Sequence, residues 1–267
     1  MAIPIKKILK KINACIWHPS GLRLTLLRSI RKEVMAFNYD FSDDALKYID
    51  RIKPWTMVRD QGLVTLYQQV RYVELNQLSG DFVECGVWKG GAAGLMALAQ
   101  LKFGTSRRRI HLFDSFEGFP RASKGEDGEK AGQWLGIQQG RAPEPSHVLM
   151  ATSDISKNLL MDQLGYPDDY VIFHQGWFQD TVPLAKEKGL IKNIALLRLD
   201  GDLYHSTKTC LENLWDLVVP NGIIIIDDYK HFEGCKKAVD EFIDTLKFKP
   251  LLNHVGSSGI RYIIKHQ

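Results

Sequence analysis

The run Asp81-Phe82-Val83-Glu84-Cys85-Gly86-Val87-Trp88-Lys89-Gly90-Gly91 passes from a mainly apolar stretch into a glycine-rich turn, and the Ala/Leu-rich segment Ala92–Leu101 follows it. A strand over 81–87, a tight turn and an apolar helix form the opening unit of a doubly wound α/β fold. Glycine at such a turn lets the backbone bend sharply and approach a ligand with no Cβ in the way. The spacing is E-x-G-x-x-x-G-G, with an acid two positions before the first glycine. A phosphate-cradling dinucleotide turn would read G-x-G-x-x-G.

Outward from this turn, strands are predicted over Ile110–Asp114, Tyr170–His174, Ile194–Asp200 and Gly222–Asp228. Helices are expected near 155–164, 181–188, 206–217 and 234–245. Two closing strands, Lys247–Leu252 and Gly259–Ile264, complete a mostly parallel, seven-stranded Rossmann-like sheet with helices on both faces. Upstream, Asp43–Ile52 and Leu63–Leu75 carry helical apolar spacing around the aperiodic Lys53-Pro54-Trp55-Thr56-Met57-Val58. Residues from about 118 to 150 are rich in Gly, Pro, Ser and charge and predict a lid-like insertion.

The chain has 267 residues, 45% hydrophobic and 25% charged, enough for one large α/β domain with its own core. Cys15, Cys85, Cys210 and Cys235 form no C-x-x-C pair, which argues against structural zinc and fits reduced thiols in a cytoplasmic protein. The net charge of +4 is uneven: eight Lys and Arg residues precede the first acid, Glu33. The division expected is a basic helical extension, 1–50, before a catalytic domain, 51–267. The extension reads either as a solvated cap helix or as an amphipathic helix. Residues 1–40 would then rest on anionic lipid, on an acidic partner, on a neighbouring subunit of a homo-oligomer or on the chain's own core. No interleaved stacking residues accompany the basic patch, so nucleic acid is not an expected partner.

Ligands of open parallel sheets sit beyond the carboxyl ends of the strands. Glu84 there suits S-adenosylmethionine, which carries an amino group and a sulfonium but no phosphate. Asp114 lies 28 positions after Gly86 and can accept both ribose hydroxyls or cap a helix. Asp200, Asp202, Asp227 and Asp228 end the fourth and fifth strands. Four converging carboxylates imply a bound cation or a shared proton; the competing reading is helix capping with Arg198 or Lys230 as partners. Oxygen donors of this kind suit Mg²⁺, with Ca²⁺ or Mn²⁺ as substitutes. His205 is either a surface histidine or a second candidate base. Trp88, Trp134, Trp177 and Tyr204 either pack or stack on an acceptor, and His111 reads as a core histidine.

Together the ordered motifs resemble the macrocin O-methyltransferase family. They are Thr56-Met57-Val58, Glu84-x-Gly86-Val87-Trp88-x-Gly90-Gly91, Asp114-Ser115-Phe116-x-Gly118 and Gly176-Trp177-Phe178-x-Asp180-Thr181. Leu197-Arg198-x-Asp200-x-Asp202-x-Tyr204 and Pro220-x-Gly222 leading into Asp227-Asp228-Tyr229 complete the set. The resemblance runs from about residue 50 to the end. It implies Asp200, Asp227 and Asp228 as metal ligands and Asp202 as base; His205 stays the alternative on its ordinary near-neutral pKa alone. It also implies cofactor contacts from Thr56, Met57, Val58, Glu84, Gly86, Gly90, Asp114, Ser115, Gly176 and Trp177. The acceptor it implies is a small-molecule hydroxyl, of a saccharide. Rival readings are a methyltransferase of catechol-like phenols and a non-catalytic binding module on the same fold. A nicotinamide oxidoreductase would show the dinucleotide turn and no acidic quartet.

Overall fold

The computed structural model describes residues 42–123, 125–128, 131 and 149–266. The basic segment before residue 42 and most of the insertion, Trp134 included, lie outside the described residues.

Helix α1 (Asp43–Ile52) starts where the Ser42 hydroxyl accepts the Ala45 N–H, and it buries Ala45, Leu46, Ile49 and Ile52 on one face. A 3₁₀ turn with Pro54 leads to α2 (Asp60–Leu75), three residues longer at its start than the apolar pattern predicts. Strand β1 (Asp81–Cys85) feeds α3 (Gly91–Phe103), whose residues 91–100 are all buried. β2 (Ile110–Asp114) follows. Helix α4 (Ser153–Lys157), extended by a π-helical turn to Gln163, precedes β3 (Val171–Gln175). Then come α5 (Phe178–Glu187), β4 (Ile194–Leu199), α6 (Tyr204–Leu214), β5 (Val218–Ile226), α7 (Glu233–Thr245), β6 (Asn253–His254) and β7 (Arg261–Ile264).

The seven strands stand in the order β3-β2-β1-β4-β5-β7-β6. The first five are parallel, and β7 runs antiparallel between β5 and β6. Both faces are covered, so the central strands read as mainly apolar runs. The polar residues inside them, Glu84, His111 and Arg198, find partners within the fold. Phe82, Ile110, Leu196 and Ile223 pack toward α1–α3, while Val83, Phe113, Leu197 and Ile224 pack toward α5–α7. Strand order reverses between β1 and β4. The crevice at their carboxyl ends is therefore where a ligand site belongs.

Two strand expectations are corrected. Lys247–Leu252 is not a strand: Pro250 has no N–H to pair, Phe248 and Leu251 are exposed, and β6 is only two residues long. β5 begins at Val218 and passes through an irregularity around Asn221, which sits at φ 64°, before pairing resumes at Ile223. Among the described residues no helix is long and apolar enough to cross a membrane.

His111 is a satisfied core histidine, fully buried between His174 Nε2 (3.0 Å) and Asp81 Oδ2 (3.3 Å). Burial and then the neighbouring His111 lower the His174 pKa to about 4. The unfolded chain thus binds a proton at His174 that the folded chain refuses between pH 6.5 and about 4. Stability from this group is complete above pH 6.5 and falls as pH drops through that window. Thermal melts of His174→Gln are expected to show a shallower loss of Tm across it than the unsubstituted protein. Parallel pH profiles for the two proteins would contradict the assignment.

Candidate active site

A cavity of about 740 Å³ opens at the switch point between β1 and β4. The glycine-rich turn forms one wall. Gly86 has φ 93°, and a Cβ there would lie 1.9 Å from the Asp200 carbonyl oxygen, so the ends of β1 and β4 touch through bare backbone. Gly90, at φ 83°, begins α3 and faces Ser156, outside the cavity lining. Asp114 fastens this turn. Its Oδ2 accepts from the Val87 and Trp88 N–H groups (2.7 and 2.9 Å), and its Oδ1 from Phe116 (2.7 Å). Three acceptor positions are thus occupied within the chain, and one lone pair of Oδ1 remains for a ligand. Burial raises the Asp114 pKa against these three N–H bonds.

The Thr56–Val58 stretch lines the opposite wall, with the Thr56 hydroxyl accepting the Val58 N–H at 3.1 Å. Ser115 lines the cavity and donates to the Gly118 carbonyl. Trp177 lines it at the start of α5, while Gly176 shapes the turn before it, its N–H on the Asp114 carbonyl at 3.0 Å. Trp88 also borders the cavity. Tyr204 does not: it is buried, and its hydroxyl donates to Glu241 Oε2 at 2.5 Å.

The floor is acidic around one cation. Arg198, 2% exposed, sits on β4 directly beside Glu84 of β1. Its Nη1 donates to Glu84 Oε1 and to Asp200 Oδ2, both at 2.8 Å, and its Nη2 to Asp227 Oδ1 at 2.5 Å. Glu84 Oε2 is buried with no hydrogen-bond partner. Burial pushes the Glu84 pKa up to about 8 despite Arg198. Asp227 rises to about 6, again by burial against the pull of Arg198. Asp202 is raised well above its ordinary value by burial and then by the charges of Asp200 and Asp227, and Asp228 by burial and then by those of Asp202, Asp200 and Asp227.

All four aspartates line the cavity, but their grouping differs from the one the resemblance implies. Oxygens of Asp200, Asp202 and Asp228 lie within 4.8 Å of one another, while Asp227 turns one oxygen to Arg198. Asp202 has φ 55°, and its N–H points to Asp228 Oδ2 at 3.3 Å. His205 is placed outside the cavity lining, largely exposed and 4.0 Å from Glu126.

Three features escaped the sequence reading. Arg59 and His231 line the cavity as basic groups, beside the Lys230 expected as an alternative partner of the acids. Burial, then the charge of Arg59, lowers the His231 pKa. Asp127, 2% exposed, accepts the Tyr204 N–H (2.7 Å) and the Ser123 N–H (2.6 Å), tying the start of the insertion to the start of α6. The third is the number of carboxylates that share Arg198. A charge within a doubly covered strand was the available signal, since it demands counter-ions.

A seven-stranded sheet of this order, a glycine turn without the dinucleotide spacing and an acid-floored cavity at its switch point define a class I S-adenosylmethionine-dependent O-methyltransferase. The family described as Macrocin-O-methyltransferase (TylF) matches residues 23–263, and the chain belongs to it. The match begins inside the basic segment, earlier than residue 50. The chain is 36% identical over 248 residues to demethyldecarbamoylnovobiocin O-methyltransferase of Streptomyces niveus, covering 90% of each. It is 32% identical over 231 residues to a rhamnosyl-tetracenomycin-C 4'-O-methyltransferase of Streptomyces olivaceus, covering 85% of this chain and 84% of that protein. The solved O-methyltransferase NovP superposes with a TM-score of 0.68 at 32% identity, over 80% of this chain and 83% of that one.

Proposed function

We propose that this enzyme methylates a hydroxyl of a saccharide, on a glycoside or glycan, with a divalent cation bound among the floor aspartates. The observation that carries this reading is that donor-side and acid groups share one cavity. Glu84, Gly86 and Asp114 stand within the same walls as Asp200, Asp202, Asp227 and Asp228. The relatives reinforce it, since they are named for O-methylation of a rhamnosyl-tetracenomycin C and of demethyldecarbamoylnovobiocin.

The donor fits this chain by one particular atom. Glu84 Oε2 is a buried acceptor without a partner, suited to the ammonium of S-adenosylmethionine. Asp114 keeps one acceptor position for a ribose hydroxyl. Thr56, Met57, Val58, Ser115 and Trp177 enclose the rest, with Gly90 and Gly176 holding the adjoining turns. Bound there, the donor would supply an activated methyl group to the acceptor oxygen and leave as S-adenosylhomocysteine.

The acids fit a hard divalent cation such as Mg²⁺, because they offer only oxygen and are crowded enough to repel one another without one. Asp200, Asp227 and Asp228 would hold it. Asp200 and Asp227 each spend one oxygen on Arg198 and keep the other. Such a cation would lower the acceptor hydroxyl's pKa. Asp202 takes the hydroxyl proton onto its carboxylate as the oxygen forms its bond to carbon. Trp88 and Trp177 give the walls apolar area that excludes water and orients a sugar ring.

The domain division at residue 50, a homo-oligomer and contact through residues 1–40 are part of the same proposal. So is the cytoplasm, supported by three buried free thiols, Cys85, Cys210 and Cys235.

Calorimetric titration of S-adenosylhomocysteine tests the donor site. The protein is expected to bind it, and Asp114→Asn to bind it about 10- to 100-fold more weakly. Asparagine keeps the shape but turns an amide toward a backbone N–H that the carboxylate satisfied. Asparagine is chosen over alanine, which would also release the turn. Wild-type protein that binds neither S-adenosylmethionine nor S-adenosylhomocysteine would sink the reading. Mass spectrometry of sugar and catechol acceptors then separates the saccharide from the phenol.

A further inference from the structure

The Arg198 guanidinium touches both halves of the cavity. Nη1 is shared between Glu84, on the donor side, and Asp200, on the acid side, at 2.8 Å each. Nη2 holds Asp227. Arg198 is 2% exposed and cannot turn to water for other partners. One positive charge is therefore divided among three carboxylates from the ends of three adjacent strands. The remaining oxygen of Glu84 stands buried without a partner.

We propose that Arg198 is a positioning residue that couples the methyl donor's site to the cation's site, so that each ligand binds more tightly when the other is present. This rests on the methyltransferase reading with a floor cation. Asp200 and Asp227 compete with Glu84 for Arg198 while they carry uncompensated charge. Neutralised by a cation on their free oxygens, they relax that claim. Arg198 then commits to Glu84, which is held as an anion with its free oxygen set for an ammonium group. The converse holds by thermodynamic necessity, because a coupling free energy between two ligands is reciprocal. The path is a contiguous set of hydrogen bonds across β1, β4 and β5, without any movement of an element.

The experiment is titration of S-adenosylhomocysteine into the full chain, first with chelator and then with saturating Mg²⁺. Mg²⁺ is expected to lower the Kd at least about fivefold. In Arg198→Lys, whose compact ammonium lacks the planar fork that reaches Glu84 and Asp200 from one nitrogen and Asp227 from the other, the Kd should be the same within about twofold under both conditions. If Arg198→Lys does not fold, Glu84→Gln carries the test: it keeps the side chain's shape, removes the charge Arg198 is shared with, and should bind without regard to Mg²⁺. A wild-type Kd indifferent to Mg²⁺ overturns the coupling alone and leaves the methyltransferase reading standing. Full Mg²⁺ dependence in Arg198→Lys or in Glu84→Gln overturns it as well. No binding by wild-type protein under either condition overturns both.

Discussion

Asp202→Asn is expected to cut kcat by about 10²- to 10⁴-fold, the usual contribution of a positioned base, while S-adenosylhomocysteine binds within about twofold of wild type. Asparagine is nearly isosteric with aspartate and cannot accept a proton, so it removes the proposed step and little else. The backbone supports this choice, because residue 202 sits at φ 55°, a left-handed conformation that asparagine adopts at least as readily as aspartate. The Asp202 N–H bond to Asp228 comes from the main chain and survives the change. Alanine at 202 would add a backbone penalty and blur the result. Single-turnover rates with an identified acceptor, set beside binding calorimetry, give the measurement. Near-normal turnover with intact cofactor binding would remove Asp202 from the base role. His231 would then be the next candidate, since it lines the cavity, whereas His205 does not.

The architecture was legible where burial imposes a pattern. β1, β2 and β4 are covered on both faces, and their mainly apolar runs, interrupted inside by Glu84, His111 and Arg198, marked them to within two residues. β6 left no trace, because two residues cannot show a period, and the apolar Phe248 and Leu251 nearby face solvent. The acids were visible as strand-end residues, and topology alone brought them into one cavity. Which of them turns toward Arg198 is a matter of side-chain torsions and was not readable. Sequence placed Asp202 and Asp227 in different roles, and the structure clusters Asp202 with Asp200 and Asp228 instead. Asp114 shows the opposite case. Its place at the end of β2 suggested a ribose ligand or a helix cap, yet most of its capacity is spent on the N–H groups of the neighbouring turn.

That turn gives the second large effect. Gly86→Ala is expected to abolish measurable S-adenosylhomocysteine binding and to lower the Tm by several degrees or prevent soluble expression. Two costs add. The first is conformational, because residue 86 has φ 93°, where an L side chain is strained by roughly 1–3 kcal/mol. The second is steric: the new Cβ would lie 1.9 Å from the Asp200 carbonyl oxygen and 2.8 Å from its carbonyl carbon. These are backbone atoms, fixed by the Asp200 N–H bond to Cys85 O (2.8 Å) and the Gly86 N–H bond to Phe113 O (2.9 Å). No side chain can swing away, so β1 and β4 must part at the switch point. Asp200 would move with the strand end, and the spacing between Glu84 and the floor acids would change. Gly165→Ala separates the two costs. Residue 165 also has positive φ, 71°, but a Cβ there meets nothing within 4 Å. It should lose only the conformational part, about 1 kcal/mol, and bind the ligand normally. Equal losses of Tm in the two variants would mean that backbone strain accounts for the whole effect and that β1 and β4 do not meet at Gly86 as tightly as the structure shows.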